Sequence, residues 1–85
     1  MTEYLIGAYE TWDGSRSGYK HKHIFVNSEF EAEAEGLEFA FSLLDPHMNE
    51  IKHYAEYMAK NGYDYEDVLH DTMIECAHYE LWVRV

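Results

Sequence analysis

The sequence predicts an α+β fold: a three-stranded antiparallel sheet, elements in the order ββαααβ, and helices packed on one face. Three observations carry this expectation. Two β-branched and aromatic runs flank a glycine-rich turn, apolar residues then recur at helical spacing behind helix-start signals, and the last residues alternate with the period of a strand. The simplest arrangement places the C-terminal strand beside the first strand.

Each element has its own local reason. Glu3 to Trp12 carries Tyr4, Leu5, Ile6, Tyr9, Thr11 and Trp12, and reads as strand 1. Asp13 to Gly18 contains two glycines with Asp and Ser, residues that tolerate positive φ or bond nearby backbone amides, so a hairpin closes there. Strand 2, Tyr19 to Asn27, sets Lys20, Lys22, Ile24 and Val26 on one face and Tyr19, His21, His23 and Phe25 on the other. Ser28 with Glu31 is a capping box opening a helix over about residues 29 to 44, with Phe30, Ala34, Leu37, Phe41 and Leu44 as its expected inward stripe and Gly36 as a weak point.

Asp45 and Pro46 predict the start of helix 2, with Asp as cap and Pro at the first helical position. Met48, Ile51, Ala55 and Met58 face inward, and Asn61-Gly62 ends the helix near Lys60. Asp64 and Asp67 open a shorter helix 3, and from about Ala77 the alternation of Tyr79, Leu81, Val83 and Val85 with Glu80, Trp82 and Arg84 is a strand. Eighty-five residues hold one domain, residues 1–85, and eight Tyr, four Phe and two Trp give it a credible core.

The composition narrows function more than any motif does. No run approaches the roughly 20 apolar residues that span a bilayer, and no basic leader precedes Glu3, so an intracellular, cytoplasmic protein without membrane partners is expected. Cys76 is alone and forms no internal disulfide. A net charge of −11 opposes direct binding to nucleic acid. Nucleophile elbows, phosphate loops, H-E-x-x-H and CxxC motifs do not occur, so no enzyme and no cofactor are expected. His21, His23, Cys76 and His78 are the best metal candidates, but they lack the close Cys spacing of zinc sites and no metal is expected.

Two acidic segments are the candidate partner-binding residues. Glu31, Glu35 and Glu38 share one helical stripe, with no basic residue between Lys22 and Lys52. Like charges four apart cost about 0.2 to 0.5 kcal/mol per pair on a helix, and here that repulsion is left uncorrected. Carboxylates about 5 to 6 Å apart are spaced on the scale of a phosphate backbone. Asp64, Glu66, Asp67 and Asp71 interleave with Tyr63 and Tyr65, combining rigid aromatic area with charge suited to a basic groove.

The functional expectation is therefore a small acidic inhibitor that occupies the basic surface of a nucleic-acid-binding or nucleic-acid-processing protein. In size and charge alone it resembles the acidic proteins with which phages block host defences such as restriction enzymes or CRISPR complexes; no motif ties it to a named family. The alternative is an assembly module that dimerises through an exposed sheet face or edge, with Trp12, Tyr19, Phe25 and Trp82 at the contact and acidity serving only solubility.

Overall fold

The structure, a computed structural model, describes residues 1–84. The first strand, β1 (Thr2–Glu10), is the centre of a three-stranded sheet, flanked by β2 (Lys20–Val26) and β3 (Ala77–Arg84), both antiparallel to it. Ile6 stands opposite Lys22 and Leu81, and Ala8 opposite Lys20 and Tyr79. Strand alternation therefore puts Tyr4, Ile6, Ala8 and Glu10 on one face, and all four are buried. The α+β class, the element order and the one-sided helical cover are those the sequence predicts.

Helix α1 (Glu29–Ser42) lies on that face, begun by the Ser28 capping box. The Ser28 hydroxyl accepts from the Glu31 amide at 3.2 Å, while the Glu31 carboxylate reaches back to the amide of Asn27 at 3.1 Å, one residue earlier than the box pattern implies. The buried line of α1 is Ala32, Gly36 and Ala40; of the expected stripe Leu44 is fully buried, Leu37 and Phe41 are half-buried, Ala34 is exposed and Phe30 is 80% exposed. Helix and sheet approach so closely that only small residues fit between them. A Cβ on Gly36 would stand 2.6 Å from the Tyr79 ring, so this glycine is a packing requirement, not a weakness. The large apolar residues are displaced roughly a third of a turn around the helix.

After α1, Asp45–His47 forms a 3₁₀ turn, and α2 (Met48–Lys60) starts two residues later than Asp45-Pro46 suggests. No side chain caps α2: the chain tightens through His47 N–H bonding to the Leu44 carbonyl at 2.8 Å, so Asp45 is not the cap. Ile51 and Ala55 are buried as expected, and Gly62, at φ +96°, reverses the chain as a left-handed glycine can. Asp64 caps α3 (Tyr65–Cys76), which runs directly into β3.

Two buried clusters divide the interior. Tyr4, Ile6, Ile24 and Ala32 fill the end near Thr2, while Ala8, Ala40, Leu44, Ile51 and Ala77 fill the end near Glu10. The α2–α3 hairpin grows from this second end, giving extents of 49 × 24 × 14 Å. Trp12 anchors it: its indole N–H donates to Glu50 at 2.8 Å, and its backbone amide donates to the Glu10 carboxylate at 3.0 Å. His47 Nε2 lies 3.5 Å from the same Glu10 carboxylate. Trp12 thus lies beyond the end of β1, against the helices, and is not on a free sheet face.

Gly36→Ala tests the close approach. Alanine is worth about 1 kcal/mol over glycine in a helix, but displacing Tyr79 costs about 1 to 3 kcal/mol. The expected net result is a lower urea midpoint for the variant; a higher midpoint contradicts the packing described.

Candidate partner-binding surface

The charge of the molecule is sorted by layer. From Glu29 to Cys76, the helical segment carries thirteen acids against Lys52 and Lys60, whereas the strands and their turn carry four acids and four Lys or Arg. All of the formal net charge of −11 therefore resides in the helical segment. Among the described residues, the ion pairs within 4.0 Å are His23–Glu3 and His47–Glu10, so none of the helical carboxylates is matched by a lysine or arginine.

Glu31, Glu35 and Glu38 lie on the flank of α1 that faces β2, but they are not equivalent. Glu31 is exposed yet committed to the Asn27 amide. Glu35 is half-buried and, with exposed Glu38, lines a cleft of about 210 Å³ completed by Lys22, Phe39 and Ser42. Lys22 extends across this cleft with its ammonium 5.8 Å from the Phe39 ring centre, a distance that leaves its hydration largely intact. The cleft presents two carboxylates and one cation above an aromatic floor, suited to a guanidinium or ammonium that inserts its apolar stem.

The second acidic segment stands elsewhere. Tyr63 is exposed and Tyr65 half-buried at the tip of the α2–α3 hairpin. Asp64 accepts from the Asp67 amide at 3.1 Å, and Glu66, Asp67 and Asp71 are exposed along α3. Because α1 covers the sheet and the hairpin extends from the sheet's Glu10 end, Glu31 and the Tyr63–Asp67 tip lie toward opposite ends of the long axis. The two acid groups are separate patches, not one stripe. Spacing within a helix is readable from sequence; distance between helices depends on the hairpin's outward course, which sequence does not show.

The free face of the sheet joins Tyr19 and Trp82, expected at an exposed face or edge, to Arg16, Tyr9 and His78. Arg16, from the hairpin turn, sits 4.2 Å from the ring centre of Tyr9 and 4.6 Å from that of Tyr19. His78 stacks on Tyr9 at 4.8 Å, and Trp82 lies over Gly7, where a Cβ would be 2.8 Å from the indole. Tyr9 on β1, His78 and Trp82 on β3, and Tyr19 just before β2 share this face, a signal available from strand alternation once β1 is placed centrally.

Histidine and cysteine do not converge. His21 and His23 are on β2, His78 is on β3 beyond the intervening β1, and Cys76 ends α3 instead of sharing a strand face with His78. Among the described residues no group of three or more His, Cys, Asp or Glu is placed to hold a metal ion. Burial pushes the Cys76 thiol up, with Glu75 and Glu10 adding to the effect, so its nucleophilic thiolate is disfavoured. Asp13 is lowered by hydrogen bonds from Ser15, whose amide and hydroxyl donate to it at 3.0 and 2.8 Å. Among the described residues no helix is long and apolar enough to cross a membrane. No known family, curated protein or solved structure matches the chain.

The division of labour within the α1 stripe is measurable. Glu31→Ala removes half of the capping box and lowers stability by about 0.5 to 1 kcal/mol, whereas Glu38→Gln relieves repulsion and leaves stability equal or higher. Urea titrations of both variants check this, and equal losses contradict it.

Proposed function

We propose that this protein is a small acidic inhibitor that occupies the basic, nucleic-acid-binding surface of a partner protein. The observation that carries the reading is the placement of the entire net charge on the helical segment, without a lysine or arginine paired to its carboxylates. Such a surface offers a cationic receptor carboxylates that no internal ion pair must release first. The 49 Å length corresponds to about fourteen base pairs at ~3.4 Å of rise each, so patches toward both ends can engage a groove built for a duplex.

Recognition is shared between the patches. At the α1 flank, Glu35 and Glu38 receive a basic side chain in the cleft beside Phe39, and Glu31 adds field from the first turn. At the hairpin tip, Tyr63 supplies aromatic contact area and Asp64, Glu66, Asp67 and Asp71 supply charge around Tyr65. Inhibition follows from exclusion: the partner's nucleic acid and this protein compete for the same cations. The reading is non-enzymatic and needs no cofactor. A phage origin and an anti-defence or anti-CRISPR role are one setting in which such an inhibitor works.

Competition and salt supply the test. A nucleic-acid-processing partner isolated from the native host should release its nucleic acid as this protein is added, and its Kd should rise steeply between about 50 and about 200 mM NaCl. Replacing Glu31, Glu35 and Glu38 together by Gln, which retains the capping geometry, should weaken binding by at least about tenfold. Binding that is indifferent to salt and to the triple substitution contradicts the proposal.

A further inference from the structure

The two edges of the sheet are built differently. β2 carries Lys20 and Lys22 among its seven residues, the kind of charged edge that discourages strand addition. β3 pairs with β1 on one side only, and its eight residues include neither Lys nor Pro. Its last five residues, Glu80-Leu81-Trp82-Val83-Arg84, are complementary to themselves when reversed. Antiparallel pairing centred on Trp82 sets Glu80 opposite Arg84 twice, Leu81 opposite Val83 twice, and Trp82 opposite its own mate.

We propose that a second copy of this chain pairs along β3 in this register, joining two sheets into one of six strands. The charges are free to pair. Glu80 accepts only a 3.4 Å bond from the Tyr19 hydroxyl, and among the described residues Arg84 has no carboxylate within 4.0 Å. Trp82 and Val83 remain 42% and 56% exposed in the single chain, so both gain cover.

An independent feature lies on the same side. One flank of α1, with Glu35, Glu38 and Phe39, faces Lys22 on β2, while Gly36 on its underside meets Tyr79 on β3. Helical geometry then directs Phe30, Ala34, Leu37 and Phe41 to the flank above the free edge of β3. A twofold axis perpendicular to the joined sheet keeps both α1 helices on one face, antiparallel. Each sits over β1 and β3, so the two axes are separated by about two strand spacings, roughly 9 to 10 Å, the separation of packed helices. Ala32 packs with Tyr4 and Ile6, level with Trp82, whereas Ala40 packs with Ala8 and Ala77. The two helices therefore overlap at their first turns, where Phe30 at 80% exposure meets its mate, and Leu37 and Phe41 run away from the axis.

The proposal does not rest on the acidic patches, since Glu80, Trp82 and Arg84 lie outside them. Light scattering on the full chain at about 0.15 M salt, where charge repulsion between copies is screened, should give twice the 10.1 kDa chain mass. Glu80→Arg and Arg84→Glu should each weaken the dimer by at least about tenfold, by opposing like charges across the strands. Mixing the two variants should restore it, because each reversed residue then meets an opposite charge. Trp82→Cys in a Cys76→Ser background should also form a disulfide-linked dimer on mild oxidation, while Phe25→Cys in that background should not. A wild-type mass of 10.1 kDa at all concentrations, a dimer indifferent to both reversals, or a mixture of folded variants that stays monomeric overturns the proposal.

Discussion

The close seating of α1 on β1 and β3 is the constraint on which the other features depend. Ile6 and Ala8 on β1 and Ala32 and Ala40 on α1 are fully buried, and the contact leaves no room for a side chain at Gly36. Two small residues and a glycine, one helical turn apart, lower the helix onto Tyr79, and the aromatic ring replaces the volume they lack. Burial at this seam, with dispersion between closely spaced atoms, is what a chain of this size can offer against its conformational entropy. It also fixes how α1 is turned: once the small residues face the sheet, Glu31, Glu35, Glu38 and Phe39 are held on the β2 flank and Phe30 and Phe41 on the opposite one.

That orientation separates chemistry by direction. The helical side is acidic, the open sheet face is aromatic and close to neutral, and one sheet edge is guarded by lysine while the other carries none. Ordinary surface helices intersperse lysine among glutamates and so relieve repulsion within a turn. Here Lys20 and Lys22 are on a strand, and Arg16 is held between two tyrosine rings on the far face. Among the described residues none of these cations comes within 4.0 Å of a helical carboxylate, although Lys22 shares the cleft with Glu35 and Glu38. A surface of this kind attracts a basic receptor over the Debye length before contact is made.

Much of the fold was legible because its signals are local. The Ser28 and Asp64 caps, the Asn61-Gly62 stop and the alternation from Ala77 each express chemistry within a few residues, and each element appears in its expected place. The inward face of α1 was not legible, because hydrophobicity ranks Phe30 and Phe41 above Ala32 and Gly36, while the choice is made by the distance between helix and sheet. Asp45-Pro46 likewise resembles a helix start, but backbone bonds closed a 3₁₀ turn there first. The acidic residues could be found from composition and spacing. Their division into two patches could not, since it depends on an α2–α3 hairpin that leaves the sheet at the Trp12–Glu50 anchor. The fold and the solvent exposure of these residues are properties of the structure; their use by a partner is the proposal.

Uncompensated repulsion within the helical layer is the physical premise of that proposal, and its most direct measure is the melting temperature of the isolated protein as NaCl is raised from about 10 to about 300 mM. Screening acts chiefly on exposed charges, so unpaired carboxylates predict a melting temperature that climbs with salt. A melting temperature that falls across this range shows that attractive ion pairs dominate, and contradicts the account.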